Sequence, residues 1–213
     1  MSYVIEIQTV MAAAFEDLAA AIAAKKVADA PNAREAFLGR WVAQSMKKQR
    51  FHYSVKADLQ RWTQRARSAG TQAGLDAEFS RIQQVYADWF PVGEAVSPIH
   101  LNQLQRLIER ATNAGWTVHT QTSIDRKVKI ICDGQHSLVV CPQATQAAFD
   151  DDDHLTVPLS VYVRGPEVEV ITWAHQARLA PTKVTDYKSK VKYHAEYRIW
   201  PNNQADSLMV MPH

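Results

Sequence analysis

The stretch NAGWTVHTQT (residues 113–122) separates two different patterns of hydrophobic residues. Before it, apolar residues recur every three or four positions, which is typical of amphipathic α-helices. From Trp116 onward, they recur at every second position, which is typical of β-strands. The sequence therefore predicts a helical first half and a second half that contains a sheet.

The first 115 residues predict about five helices. The first covers residues 4–27, and the second ends in the basic run KKQR at 47–50. A third begins after Ser54, a favourable N-cap residue, and a fourth spans 71–90. The pair Ser97-Pro98 predicts the start of a fifth helix, because proline is favoured in the first turn after a capping serine.

The second half predicts short strands with one helix among them. A strand at 116–122 is followed by a hairpin of 127–132 and 137–141 around the Asp133-Gly134 turn. Another strand at 156–164 leads into a helix from Gly165-Pro166 to Leu179. The alternating stretch VTDYKSKVKYHAEYRI (184–199) predicts the last strand.

Helices and strands that occupy separate parts of a chain favour the α+β class. We expect an N-terminal helical bundle of about five helices, then a small, mostly antiparallel sheet with one helix. The predicted domains are 1–115 and 116–213, although the two could share one core. An alternative boundary lies near residues 91–97, where the connector contains two prolines and a glycine.

Composition excludes several classes of protein. Net charge is +2 and hydrophobic residues make up 46%, as in ordinary globular proteins, so bulk disorder is not expected. Two cysteines, Cys132 and Cys141, fit a reducing compartment and are interpreted as small buried hydrophobes. No stretch reaches the roughly 18 uninterrupted apolar residues of a membrane span, and no signal peptide is recognisable. We therefore expect a cytoplasmic protein without membrane contact.

Charge is strongly asymmetric in residues 40–67, where eight cations accompany one acid, Asp58. Clustered cations bind nucleic acid because they release its counterions. The candidate phosphate contacts are Lys47, Lys48, Arg50, Arg61 and Arg65. The alternative is a solvated basic face balanced by acids elsewhere; a helix-turn-helix is less favoured, because the turn QRFHYS lacks the usual glycine.

The predicted last strand adds a second basic feature. Its alternation places Lys188, Lys190 and Lys192 on one face, with His194 and Arg198, and its tyrosines on the other. The lysine row would contact phosphates or protect an exposed sheet edge. Nucleic-acid platforms that stack bases need aromatic rings on the binding face, so we interpret the tyrosines as core.

Evidence for an enzyme is weak. The chain has no Walker loop and no GxSxG, HExxH or CxxC motif. A small metal-dependent nuclease or hydrolase would centre on Asp186, Lys188 and His194, with Tyr187 or Lys188 as acid or base. The aspartates of 150–153 lack the spacing of a calcium loop and are interpreted as a solvated loop. No metal site and no cofactor are predicted.

The favoured interpretation is a non-enzymatic binding protein that contacts nucleic acid. The rival is a protein–protein adaptor or a homo-oligomer, whose interface would use exposed aromatic residues. Candidates are Trp89, Phe90 and Trp200, because tryptophan and other large aromatics are enriched at interfaces.

Three stretches resemble a known family: LGRWVAQSMKKQRF (38–51), GLDAEFSRIQQVYADWFP (74–91) and VTDYKSKVKYHAEYRIWPNNQ (184–204). It is an uncharacterised family of proteobacterial proteins of about this length that carry a domain of unknown function. The resemblance implies a bacterial cytosolic protein. It implies no substrate and no catalytic residue.

Overall fold

A computed structural model of the chain describes residues 2–132, 134–186 and 188–212. The chain divides into two compact units, Met1–Ala95 and Val96–His213. The first unit is helical, and the second combines helices with a sheet. The predicted α+β class is therefore confirmed.

The described residues of the first unit form four α-helices: α1 (Tyr3–Ala23), α2 (Pro31–Lys47), α3 (Lys56–Ala69) and α4 (Leu75–Trp89). The stripes of apolar residues in the sequence become its core. Among the fully buried side chains are Ile7, Leu38, Trp62 and Phe79. Helical periodicity placed these residues on one face of each helix, so burial of those faces holds the bundle together.

Two features of α2 bring its neighbours close. A Cβ atom added to Gly39 would lie 3.0 Å from Cβ of Ala66, so the small residue lets α3 approach α2. The carboxylate of Glu35 accepts hydrogen bonds from the backbone amides of Leu75 (2.7 Å) and Asp76 (3.0 Å). Glu35 thereby caps the start of α4, where Gly74 offers no side chain of its own.

Two predicted helix starts are wrong. Ser54 does not cap α3, because a 3₁₀ turn at Tyr53–Val55 comes first and the His52 side chain accepts from the Ser54 amide. The fifth helix, α5 (Leu101–Asn113), begins after His100 rather than at Ser97-Pro98. There the side chain of Gln103 accepts a hydrogen bond from the His100 amide, as in a capping box.

The second unit begins with α5 and continues with β1 (Thr117–His119), β2 (Ser137–Val140), α6 (Pro142–Ala148), β3 (Leu159–Arg164), α7 (Glu167–Gln176), β4 (Thr182–Thr185) and β5 (Ala195–Ile199). Among the described residues, the strands form one five-stranded sheet in the order β1-β2-β3-β5-β4. β1 and β2 are parallel, and the other pairs are antiparallel. The short helix α6 was not predicted.

The main core of the second unit lies between one face of the sheet and its helices. Leu104 and Leu107 of α5 and Ile171 of α7 are buried in the same cluster as Leu138 of β2 and Tyr197 of β5. Because α5 buries its stripe there, it belongs to the second unit. The division of the chain lies before α5 rather than after it.

The predicted hairpin of 127–132 and 137–141 is wrong. β2 pairs in parallel with β1, Thr117 opposite Ser137, and antiparallel with β3. Residues 127–132 form no strand in the described part of the chain, and Asp133 lies outside it. Ile130 and Cys132 instead pack over the second face of the sheet, so this segment covers the sheet rather than extending it.

The predicted strand at 184–199 is in fact two strands. β4 ends at Thr185 and β5 begins at Ala195. Tyr193 has a φ of 66°, a left-handed conformation that an extended strand does not contain. As a result, Tyr193 is exposed and His194 is buried, the reverse of the predicted faces.

Candidate functional site

The three arginines of the predicted helical phosphate face are bound by acids. Arg50 pairs with Asp17 of α1 at 2.5 Å. Arg61 pairs with Asp58 at 2.7 Å, and Arg65 pairs with Glu78 of α4. A neighbouring carboxylate therefore compensates the positive charge of each arginine, which reduces the support for phosphate binding at these positions.

Lys47 and Lys48 differ from these arginines. Both are exposed at the end of α2, and neither forms an ion pair with any residue that the structure describes. Cations suit this position because the C-terminus of a helix carries partial negative charge. The predicted face on the second and third helices thus keeps its two lysines as free cations.

The lysine row of the sequence lies in the connection between β4 and β5. Lys188, Lys190 and Lys192 are all exposed, while Ser189 and Val191 between them are 3% and 0% exposed. The alternation that suggested a strand is therefore real. It belongs to a segment that is anchored through its odd-numbered residues.

A parallel bridge joins this segment to residues 127–129. Val128 pairs with Val191, its amide donates to the carbonyl of Lys190 (2.9 Å), and its carbonyl accepts from the amide of Lys192 (2.9 Å). Both segments read Lys-Val-Lys. The bridge sets the two tripeptides side by side in register, valine beside valine.

The bridge gathers lysines on one surface. Both valines face the protein interior, so the lysines that flank them point the opposite way. Paired segments lie about 4.8 Å apart, which makes the facing lysines neighbours. We call this surface the basic patch; it consists of Lys127, Lys129, Lys188, Lys190 and Lys192.

The basic patch has little neutralising charge around it. All five lysines are exposed, and none forms an ion pair with a residue in the described part of the chain. Residues 125–129 and 188–192 contain a single acid, Asp125, next to the further cation Arg126. The patch is therefore a concentrated source of positive potential.

A small hydrophobic cluster supports the patch from below. Val191 packs with Ile130, Val139 and Tyr162 on the second face of the sheet, and Val128 packs against their edge. Burial raises the pKa of Tyr162 to about 12, with the charge of Glu196 adding to the effect. The ring thus stays neutral, and the cluster forms an apolar base for the lysines.

Hydrogen bonds of His194 fix the lysine segment to the sheet. Its Nδ1 donates to the carbonyl of Lys192 (2.9 Å), so Nε2 accepts from the Ser137 hydroxyl (2.8 Å). The single hydrogen of the Ser189 hydroxyl lies between two carbonyl acceptors, those of Val191 (2.6 Å) and His194 (2.8 Å). Burial lowers the pKa of His194, which keeps the ring neutral in this arrangement.

The residues of the alternative nuclease or hydrolase do not form one site. His194 is fully buried and bound as above, while Asp186 is exposed and pairs with Lys183. Tyr187, the predicted acid or base, lies outside the described residues. In the described ranges no group of three His, Cys, Asp or Glu side chains is placed to hold a metal ion.

The aromatic residues of the alternative adaptor are only partly exposed. Phe90 packs against Tyr86 with tilted rings whose centroids are 5.7 Å apart. The Trp200 N–H donates to Thr182 Oγ1 (3.0 Å), and Arg198 lies over its ring. Trp89 is likewise half-buried. None of the three is the freely exposed anchor that was predicted.

Sequence reasoning missed Lys127 and Lys129, because the predicted hairpin assigned them to a strand of the sheet. A signal for them was present in the sequence, namely the second copy of the tripeptide Lys-Val-Lys. Two identical alternating tripeptides, each with one valine to bury, are suited to lie side by side on the same apolar surface.

Within the described residues, no helix combines the length and hydrophobicity needed to cross a lipid bilayer. Comparison with curated proteins and with solved structures gives no significant match. A family model described as "Protein of unknown function (DUF2913)" matches residues 2–212. Because this match covers nearly the whole chain, the protein belongs to the DUF2913 family of unknown function.

Proposed function

We propose that this protein is a non-enzymatic binding protein whose basic patch contacts the phosphates of nucleic acid. The observation that carries the proposal is the in-register bridge between the two Lys-Val-Lys tripeptides, centred on Val128 and Val191. It converts two ordinary basic stretches into one surface of five neighbouring lysines.

The repulsion among the five lysines of the basic patch supports this interpretation. Like charges held side by side repel each other and destabilise a fold. The protein relieves such repulsion elsewhere, since Arg50, Arg61 and Arg65 each have an acidic partner. The lysines of the patch have no such partner among the described residues, and a polyanion would supply the missing negative charge.

The chemistry of the patch favours contacts to the backbone of the nucleic acid. A lysine ammonium is a compact point charge that binds phosphate without reading base sequence. Tyr193, 61% exposed, directly follows Lys192 and offers a ring on which an unpaired base could stack. We therefore expect binding that is insensitive to sequence and at least as strong for single strands as for duplexes.

The test is a titration of random-sequence DNA and RNA, single- and double-stranded, at several salt concentrations. In duplex DNA each phosphate contact contributes about 0.9 to the slope of log K against log salt, so Lys127→Gln/Lys190→Gln should reduce the slope by about 1.8. The matched control is Lys25→Gln/Lys26→Gln, which removes two exposed lysines near the end of α1.

A third variant, Lys47→Gln/Lys48→Gln, tests whether the first unit contributes as well. A wild-type protein that binds no nucleic acid at low salt contradicts the proposal. So does a Lys127→Gln/Lys190→Gln protein whose slope equals that of the control variant. Loss of slope only in Lys47→Gln/Lys48→Gln would move the contact surface to the second helix.

A further inference from the structure

A cavity of about 350 Å³ lies in the first unit, between the last turn of α2 and the start of α3. Its volume is within the range of small-molecule sites, about 300–1,000 Å³. The wall includes three consecutive aromatic residues, Phe51, His52 and Tyr53, together with Leu59, Ser45 and Lys56. Apolar walls with a few polar groups are typical of ligand pockets.

Ser45 is the most informative residue in this wall. It is 3% exposed, and its hydroxyl makes no hydrogen bond with any described residue. Other helical hydroxyls bond back to the carbonyl four residues earlier, as Ser80 does to Asp76 (2.8 Å) and Thr112 to Ile108 (2.9 Å). The Ser45 hydroxyl is not among the fully buried polar atoms, so it is reached from the cavity and is available to bind a ligand there.

The aromatic part of the wall is held in place. The amide of His52 donates to the buried carboxylate of Glu6 (2.6 Å), and Nδ1 of His52 accepts from the Ser54 amide (3.3 Å). The ring hydrogen is therefore on Nε2, which is a further donor without a partner among the described residues. Tyr53 packs against His52 with centroids 4.2 Å apart, although Tyr53 is 79% exposed.

Lys56 sets the charge of the cavity. Lys56 is exposed and forms no ion pair within the described residues. The carboxylate of Glu6 accepts a hydrogen bond from the His52 amide and does not pair with Lys56. Lys47 and Lys48 follow Ser45 by two and three residues, at the C-terminal end of the same helix. The local charge is thus positive, and it favours an anionic group on whatever occupies the cavity.

We propose that this cavity binds a small aromatic anion, a planar ring that carries a carboxylate or a phosphate. The ring packs against Phe51 and Tyr53, a polar edge bonds to the Ser45 hydroxyl, and the anionic group meets Lys56. This site is separate from the basic patch. The proposal of a small-molecule site does not depend on whether the protein binds nucleic acid.

The experiment uses three probes: indole-3-carboxylate, the neutral indole-3-carboxamide and phenyl phosphate. Amide chemical shifts of the ¹⁵N-labelled full chain are followed during titration. We expect shifts centred on residues 45–59, with the anions binding more tightly than the carboxamide. Comparison of the two anions distinguishes a carboxylate site from a phosphate site.

Three variants separate the roles of the residues. Lys56→Gln should weaken the preferred anion about tenfold and leave the carboxamide unchanged, because only a charge-assisted contact is lost. Ser45→Ala should weaken both indoles, and Tyr53→Ala should do the same through loss of the ring contact. The controls are Ser80→Ala, whose hydroxyl already has a partner, and Lys25→Gln.

Tyr53 and Lys56 are exposed, so their variants are expected to keep the fold, which circular dichroism and thermal melting verify. The proposal is overturned if no probe shifts residues 45–59 at millimolar concentration. It is equally overturned if the shifts map to residues 127–129 and 188–192, or if Ser45→Ala and Lys56→Gln bind like their controls.

Discussion

The hydroxyl of Ser137 in β2 lies 2.8 Å from Nε2 of His194, the residue that precedes β5. Because His194 also holds the carbonyl of Lys192, this contact connects the sheet to the basic patch. The hydroxyl donates only while Nε2 carries no proton. This pair of hydrogen bonds therefore requires His194 to be neutral.

Acid should weaken the fold through this histidine. Burial lowers the pKa of His194 in the folded protein, and the charges of Arg164 and His119 lower it further, against a hydrogen bond to Lys192 that raises it. In the unfolded chain the ring titrates near 6.5. The unfolded state thus binds more protons below pH 6.5, so the free energy of unfolding decreases as pH falls below that value.

Urea unfolding at pH 7.5 and pH 5.0 measures this effect. His194→Gln should lower stability at pH 7.5 and remove part of the loss between the two pH values, at most about 1.4 kcal/mol for each pH unit. His154→Gln, which changes a partly exposed histidine, should keep the wild-type pH dependence. Equal pH dependence in both variants would exclude His194 as the cause.

Truncation of Val191 should affect stability and binding together. The side chain is fully buried in the cluster beneath the basic patch, so Val191→Ala should cost about 1–3 kcal/mol. It should also weaken nucleic-acid binding, because the lysine segment loses its anchor while keeping every charge. Val184→Ala, in β4 and 45% exposed, is the matched control and should change neither measurement.

Glu78 joins two residues of α3 to α4, so its loss should destabilise the first unit. Its carboxylate accepts from the indole N–H of the fully buried Trp62 (2.8 Å) and pairs with Arg65. Glu78→Ala leaves both groups without this partner and should cost about 2 kcal/mol. Asp88→Ala, at an exposed position of the same helix, should stay within about 0.5 kcal/mol of wild type in urea unfolding.

Gly165, which follows β3, should not tolerate a side chain. Its φ is 138°, and an added Cβ would lie 2.8 Å from Nδ1 of His136. Gly165→Ala should therefore cost at least about 2 kcal/mol, through backbone strain and the steric clash. Gly93, with a φ of 85°, has no described neighbour within 4 Å of an added Cβ, so Gly93→Ala measures the cost of a positive φ without a clash.

A double variant separates the two contributions at Gly165. The Cβ of His136 would itself lie 2.9 Å from the added Cβ, so the clash is removed only by glycine at position 136. If this clash matters, His136→Gly/Gly165→Ala should be more stable than the sum of the two single changes. Strict additivity in thermal melting would assign the whole cost to the backbone.

Local patterns predicted the elements whose formation depends on their own residues. The stripes of α1 to α4 and of α7, and the alternation of β3, are written in consecutive positions, and each forms close to where it was expected. The α+β class followed from the same periodicities. Errors at helix starts arose where a neighbouring residue, such as His52 or Gln103, supplied the cap.

Long-range pairings could not be derived in this way. The Asp-Gly turn signal suggested a hairpin, yet β2 pairs with β1 because residues 124–132 bury Ile124, Ile130 and Cys132 over the sheet. Likewise, charge counting could not show that Arg50 and Arg65 are neutralised by Asp17 and Glu78 from other helices. The lysines of 188–192 were identified correctly as exposed, but their neighbours in 127–129 depend on tertiary structure.

The two Lys-Val-Lys tripeptides are distant in the chain and meet only after the second unit has folded. An unfolded chain therefore presents two weak, separate clusters, whereas the folded chain presents a single dense one. Any polyanion that prefers the dense arrangement must shift the folding equilibrium toward the native state by mass action. If the patch binds as proposed, heparin or DNA should raise the melting temperature of the protein, and added salt should abolish that increase.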